Sequence, residues 1–484
     1  MARAFANCLR HLRGGILLLA AGLLFGSPGD AFARPQDLTT PAPRAAAAPT
    51  GRTLRIASVE FEGQWKTRKA VLRALARLEP GDPVDADVLA AARGRLLDSG
   101  FFDSVDLATA PGDARGTVRV TIRVAERHRP YVDTGVGWRD PEGWYLTLLG
   151  LREENPLGLG GRATLGLQLG FRTYGVEADA RVPLGAASRF SLHLRLRGQQ
   201  ERLLWYENEP GWIGLYDELR LALDRAEASA GLGWAPRPDF GMELGFAGRS
   251  AEPAAEGVNK DQHDATVPSY RLPPAFQADA GSRTLNGLYL GLSAGRGGMD
   301  GAPGRSVVLR ANVVNEGLGA DADYLRVTGA ARATAGLPGA QRLALGLRAG
   351  WVGEDAPYYE RFRLGGSYSV RGFRDHSLSP PEGDDGFLTA ALEYRVPLLG
   401  RARGAGHERL IGLVFADAGR GWANDRVATV EPDVDYQRWQ LGAGYGLRLR
   451  LPWVGLVGLD VGLPVTAGIT GEPVWLYLTL GHSF

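Results

Sequence analysis

The stretch Trp439-Gln440-Leu441-Gly442-Ala443-Gly444-Tyr445-Gly446-Leu447-Arg448-Leu449-Arg450-Leu451 alternates between apolar residues and small or polar ones without a break. A period of two places Trp439, Leu441, Ala443, Tyr445, Leu447, Leu449 and Leu451 on one face of a strand. Gln440, Gly442, Gly444, Gly446, Arg448 and Arg450 fall on the other. Such a strand is long enough to cross a bilayer at a tilt, for which about 9–11 residues suffice. Backbone polar groups in hydrocarbon must all be paired, so an all-strand span has to close into a cylinder. The apolar face then meets lipid, and Arg448 and Arg450 face a wet interior.

The same alternation recurs upstream. Leu165, Leu167, Leu169 and Phe171 alternate with Thr164, Gly166, Gln168 and Gly170, and Phe190, Leu192, Leu194 and Leu196 with Ser191, His193, Arg195 and Arg197. Working outward, the pattern predicts sixteen strands near 131–139, 143–152, 161–171, 174–184, 188–199, 226–235, 240–251, 283–295, 304–315, 322–335, 342–353, 387–397, 409–421, 438–451, 455–464 and 474–484. Short turns such as Gly336-Leu337-Pro338-Gly339 fall on one side. Long polar loops (about 200–225, 252–282, 354–386 and 422–436) fall on the other, and the first of these has room for a further hairpin. That asymmetry is the one expected of a transmembrane β-barrel with short periplasmic turns and long outer loops. Val474, Leu476, Leu478 and Leu480 share a face with the terminal Phe484, which looks like the C-terminal assembly signal of outer-membrane barrels; His482 departs from it.

Composition agrees with a barrel. The 484 residues include 68 Gly, which would suggest disorder were hydrophobic residues not 44% and aromatics 9% of the chain, enough to bury a core. Mean hydropathy is −0.14, too polar for a bundle of membrane helices. No segment after the N-terminus reaches some 18 apolar residues. A net charge of +1 gives no general attraction to nucleic acid, and none is expected as a partner.

The N-terminus reads as an export address. Arg3, Arg10 and Arg13 precede an apolar run from Gly14 to Phe25, and Ala31-Phe32-Ala33 forms a cleavage site, so residues 1–33 are a signal peptide. Its Cys8 is the one cysteine, which leaves the mature chain without a disulfide, thiolate metal ligand or cysteine nucleophile. Residues 34–52, rich in Ala and Pro, form a flexible linker. Residues 53–126 then switch to a small α/β unit of βααββ order. Strand Leu54–Phe61 leads to a helix marked by Val71, Leu72, Leu75 and Leu78 and stopped by Pro80-Gly81. A second helix is marked by Val88, Leu89, Ala92, Leu96 and Leu97, and strands follow around Val105–Leu107 and Val118–Val124. The barrel occupies 130–484.

Two stretches carry a family resemblance. Val59-Glu60-Phe61-Glu62-Gly63 with Ser99-Gly100-Phe101-Phe102-Asp103-Ser104-Val105 resembles a polypeptide-transport-associated (POTRA) domain. Phe362-Arg363-Leu364-Gly365-Gly366-Ser367, leading into Val370-Arg371-Gly372-Phe373, resembles the Val-Arg-Gly-Phe motif of the BamA/TamA family of outer-membrane assembly and translocation proteins. Asn155-Pro156-Leu157-Gly158-Leu159-Gly160 is similar to the turn after that family's second strand. The resemblance implies that Arg371 folds back into the barrel and pairs with Glu393 and Asp417. Alternation independently turns Glu393 inward, since Leu388, Ala390, Leu392 and Tyr394 hold the other face. A guanidinium that stays charged and forks onto carboxylates suits such a lock; the bland alternative is a solvated loop arginine.

Other chemistry is not expected. No helix follows Gly158-Leu159-Gly160-Gly161, so that stretch is a turn rather than a phosphate cradle. With seven histidines, and His263 and His376 isolated in loops, no metal, cofactor or catalytic residue is assigned. Trp351, Trp422, Trp439, Trp453 and Trp475 suit interfacial girdles. The leading expectation is a non-enzymatic outer-membrane protein that contacts membrane lipids and receives unfolded β-rich clients through residues 53–126, for insertion or translocation. A single POTRA-like unit suggests a specialised member. The alternatives are a passive, porin-like channel or binding barrel and, more remotely, an outer-membrane lipase.

Overall fold

The computed structural model describes residues 54–480 apart from 133–134, 140–142, 171, 187, 209–215, 260–269, 273, 297–302, 401–407, 424–436, 452–454 and 467–472. The signal peptide, the linker, His263, Trp453, His482 and Phe484 lie outside the described residues.

The small unit comprises β1 (Leu54–Glu62), α1 (Lys69–Ala76), β2 (Pro83–Val84), α2 (Ala86–Asp98), β3 (Phe102–Pro111) and β4 (Thr117–Glu126). Its sheet runs β2-β1-β4-β3, with β1 parallel to β4 and the other pairs antiparallel. Leu72, Ala76, Ala92 and Leu96 on the helices pack against Ile56, Val105, Val120 and Ile122 on the sheet. Burying each of the leucines, isoleucines and valines among them is worth about 1.5–3 kcal/mol, which holds helices to sheet. Two details differ from the sequence reading. α1 ends at Ala76, before Pro80-Gly81, because Arg77 turns left-handed (φ 51°) and donates its N–H to Arg73 O. The short β2 pairs with Leu54–Arg55, since Asp85, which caps α2 by accepting from Val88 N at 2.8 Å, leaves the residues before it extended alongside β1.

The rest of the chain is a closed antiparallel barrel of sixteen wall strands. The first is split into β5 (Tyr131–Val132) and β6 (Gly135–Arg139). Then come β7 (Gly143–Glu154), β8 (Arg162–Gly170), β9 (Thr173–Pro183), β10 (Phe190–Asn208), β11 (Tyr216–Arg237) and β12 (Phe240–Pro253). Three short pieces, β13 (Glu256–Asn259), β14 (Tyr270–Arg271) and β15 (Arg283–Thr284), and the helix α3 (Pro274–Ala278) lie in the connection that follows. The wall resumes with β16 (Gly287–Arg296), β17 (Gly304–Val314), β18 (Tyr324–Gly336), β19 (Arg342–Val352), β20 (Gly386–Leu399), β21 (Leu410–Trp422), β22 (Gln440–Leu451), β23 (Gly455–Pro464) and β24 (Trp475–Leu480). Leu441, Tyr445, Leu447 and Leu449 are exposed on the outer face and Arg448 is buried inside, as a period of two requires.

The segment 200–225 is not a loop. β10 and β11 pair continuously up to Asn208↔Tyr216 and rise as a long hairpin. The polar-inside rule misplaced it because the inward positions Leu203, Leu221 and Leu223 are apolar. They pack in a core with Phe362, Leu364, Val370 and Phe373, which belong to the connection between β19 and β20. The barrel is therefore filled at this level. The turn after β7 meets the small unit, where Arg68 N donates to Gly158 O at 3.0 Å. Counting strands from there puts the far ends of the pairs β10–β11, β12–β16, β19–β20 and β21–β22 at the opposite end, with the connection 353–385.

Candidate functional site

The connection 353–385 leaves β19, enters the barrel and returns to β20. Its base closes as a short ladder in which Phe362 and Asp384 exchange backbone hydrogen bonds of 2.9 and 2.7 Å. Leu378 N donates to Leu364 O at 3.1 Å further in. Val370-Arg371-Gly372-Phe373 forms the tip, with all of Val370, Arg371 and Phe373 buried.

Arg371 is 1% exposed. Its Nε and Nη2 fork onto Asp417 Oδ2 (2.7 Å) and Oδ1 (2.8 Å), its backbone N–H donates to Asp417 Oδ2 (3.0 Å), and Nη1 donates to Glu393 Oε1 (2.7 Å). A longer contact of 3.4 Å joins Nη1 to Asp460 Oδ2, and the guanidinium lies 3.6 Å from the centre of the Phe415 ring. Glu393 also accepts from Arg395 Nε at 2.8 Å, and Asp460 from Arg448 Nη2 at 2.8 Å. Three arginines thus face three carboxylates, a charge-balanced cluster that a barrel interior can hold.

Backbone shape matters as much as charge. Gly372 sits at φ 104°, and a Cβ there would lie 2.7 Å from Leu463 O. Across from it, a Cβ on Gly442 of β22 would lie 1.7 Å from Arg371 O, so the loop backbone presses directly on the wall. Tyr477 of β24 clamps the next residues: its hydroxyl accepts from Gly372 N (2.8 Å) and donates to Phe373 O (2.7 Å).

A second anchor holds the loop's start. Arg225 Nη2 donates to Tyr359 O at 2.8 Å and Arg326 Nε to Glu360 O at 3.0 Å, while the Glu360 carboxylate contacts Arg225 and, at 3.6 Å, Arg249. Burial alone would raise the Glu360 carboxyl, but Arg225, Arg249 and Arg326 hold it at about 2. Above it, α3 lays Phe276 on Tyr358 with ring centres 4.1 Å apart. Beyond the tip, Arg172 Nη1 lies 3.0 Å from His376 Nε2.

Sequence reading located Val370, Arg371, Gly372, Phe373, Glu393 and Asp417, and the structure brings these six together. It missed Asp460, Tyr477, Arg395 and the anchor at Glu360, and it treated Arg448 as solvated, whereas Arg448 is fully buried against Asp460. Mid-strand carboxylates on inward positions were the available signal. The turn Asn155–Gly160 is a joint between the two units. Buried Asn155 (φ 64°) donates Nδ2 to Thr67 Oγ1 at 2.8 Å and accepts from Gly160 N at 2.7 Å. Elsewhere in the lumen Ser191, His193 and Glu243 form a hydrogen-bonded line of 2.9 and 2.8 Å. The Ser191 hydroxyl is buried and shared with Arg181, and Glu243 with Tyr289, so the line ties four wall strands, β9, β10, β12 and β16. No group of three potential metal ligands occurs among the described residues.

Comparison with known proteins matches this architecture. Residues 54–127 match the POTRA family model, described as a surface antigen variable number repeat. The outer membrane protein assembly factor BamA of Neisseria meningitidis serogroup B is 24% identical over 404 residues, covering 77% of this chain and 47% of that protein. The chain therefore spans about half the length of that curated relative. Among solved structures, BamA from Haemophilus ducreyi lacking POTRA domains 1-3 superposes with a TM-score of 0.65 at 18% identity, covering 89% of this chain and 84% of the other. CdiB from Acinetobacter baumannii gives 0.51 at 16% identity, covering 88% and 73%. Residues 155–484 match the Omp85 superfamily domain, more than half of the chain, and the protein belongs to the Omp85 superfamily.

Proposed function

We propose that this protein helps β-rich client chains into or across the outer membrane, receiving them on its β1–β4 unit. As an Omp85 barrel it sits in the outer membrane with that unit in the periplasm. The observation that carries the reading is the loop 353–385, pinned inside the lumen by Arg371 against Glu393 and Asp417. A filled lumen suits a machine that handles chains at its wall and its periplasmic face better than a pore that passes solutes. β3 supports the same reading, because it is an edge strand of ten residues whose outer side has no strand partner among the described residues. An extended client can add a strand there by backbone hydrogen bonds, which suits partners that share shape rather than sequence. BamA from Neisseria is named an assembly factor, in keeping with this role.

The test is depletion of the protein followed by quantification of the outer-membrane proteome and the secretome. Loss of a set of barrel or secreted β-rich proteins is expected; an unchanged inventory refutes the proposal. Planar-bilayer recording addresses the passive-channel alternative, which predicts a large, stable conductance that Arg371→Ala leaves unaltered.

A further inference from the structure

The most exposed tryptophan side chain among those described is Trp65, at 62%, on the loop between β1 and α1. It stands beside the barrel rim rather than out in the periplasm. Lys66 Nζ binds Glu153 Oε1 at 2.6 Å. Glu153 continues the outward row of β7 after the exposed Leu149 and Leu151, two residues and roughly 7 Å along the strand beyond the last of them. Lys66 therefore marks the level at which the barrel's lipid-facing surface ends, and its Nζ lies 5.5 Å from the centre of the Trp65 ring.

The loop is held in this place. Lys66 N and Thr67 N both donate to the Glu126 carboxylate, at 2.8 and 2.6 Å. Trp65 stacks on His128 with ring centres 5.2 Å apart, and His128 belongs to the connector that leads into the first wall strand. Arg68, Lys69 and Arg129 are exposed on the same two segments. A rigidly presented tryptophan beside several cations at the edge of the hydrocarbon is the combination that seats amphipathic rings among headgroups and draws anionic lipid.

We propose that Trp65 and His128, with Arg68, Lys69 and Arg129, form a docking site for anionic phospholipid of the periplasmic leaflet, which fixes the β1–β4 unit against the membrane surface. The site is independent of client handling: a protein without any client would still bind lipid here.

The full chain is reconstituted into phosphatidylcholine vesicles doped with diazirine-bearing phosphatidylglycerol or, separately, diazirine-bearing phosphatidylcholine, then photolysed and mapped by peptide mass spectrometry. Adducts are expected on 63–69 and 127–130, favouring phosphatidylglycerol, with the preference falling as salt is raised. Lys69→Gln and Arg129→Gln should each lower the phosphatidylglycerol adduct about fivefold at low salt, and Trp65→Ser should lower both adducts alike. Labelling at Leu149 and Leu151 reports an inserted barrel in every sample. Labelled barrel strands with unlabelled 63–69 and 127–130 overturn the proposal, and so does equal labelling of these segments by the two lipids.

Discussion

Replacing Arg371 by methionine keeps much of the side chain's length and deletes its charge and its forked donors. Glu393 keeps Arg395 and Asp460 keeps Arg448, so the deficit falls on Asp417, which loses the two side-chain bonds of 2.7 and 2.8 Å and keeps one backbone N–H. Removing one partner of a buried pair costs about 3–5 kcal/mol. With only one carboxylate stranded, the lower end applies: about 3 kcal/mol, or roughly a hundredfold in the equilibrium between seated and released loop, at about 1.4 kcal/mol per tenfold. The assay is urea unfolding in lipid vesicles, read together with single-channel conductance. The variant should unfold at lower urea and show open events that the parent lacks. Adding Asp417→Asn removes the stranded charge, so the double variant should recover part of the loss, a coupling that independent sites would not show. An Arg371→Met protein within about 0.5 kcal/mol of the parent, with unchanged conductance, refutes the lock.

Other perturbations separate shape from charge. Gly442→Ala leaves every charge in place but sets a methyl group 1.7 Å from Arg371 O, so it should unseat the loop at a cost of about 1–3 kcal/mol and reproduce the conductance of Arg371→Met. Asn155→Gly keeps the left-handed backbone and loses the bonds to Thr67 and Gly160, so protease should cut the connector at 127–130 faster while barrel unfolding stays put; Asn155→Ala should do so more strongly, because alanine also resists φ 64°. The Glu126 carboxyl is held below its ordinary value: burial pushes it up, and the hydrogen bonds from Thr67, Lys66 and Trp65 outweigh that. Its contribution is then complete above the ordinary carboxylate range and is lost as pH falls through the lowered folded value. Unfolding of the β1–β4 unit followed against pH should lose its acid-side slope in part in Glu126→Gln.

How much of this was legible beforehand follows from what a period of two can say. It identifies which face a residue occupies, so the wall strands and the inward carboxylate at Glu393 could be read directly. It does not say what lies across the lumen. Asp460 sits on an inward position as plainly as Asp417, but its role depends on Arg448 reaching it from β22 and on Arg371 arriving from a distant loop. Tyr477 was equally visible between the outward Leu476 and Leu478, and only the loop backbone shows what its hydroxyl is for. The inward leucines Leu203, Leu221 and Leu223 look like a departure from the barrel pattern until the loop they pack against is in place. Gly442, in the stretch that first indicated a barrel, passed as a small inward residue; its function is the room it leaves for Arg371 O.

The central claim is that the periplasmic unit accepts client chains in extended form. In-cell photocrosslinking with a photoreactive residue placed one position at a time along β3, at Asp106, Ala108 and Ala110, tests it most directly, since all three are exposed on the edge strand. The account predicts adducts to unfolded outer-membrane or secreted β-rich proteins from these positions, with none from the exposed Arg55 on the interior strand β1. Adducts absent from β3, or equally abundant from Arg55, contradict it.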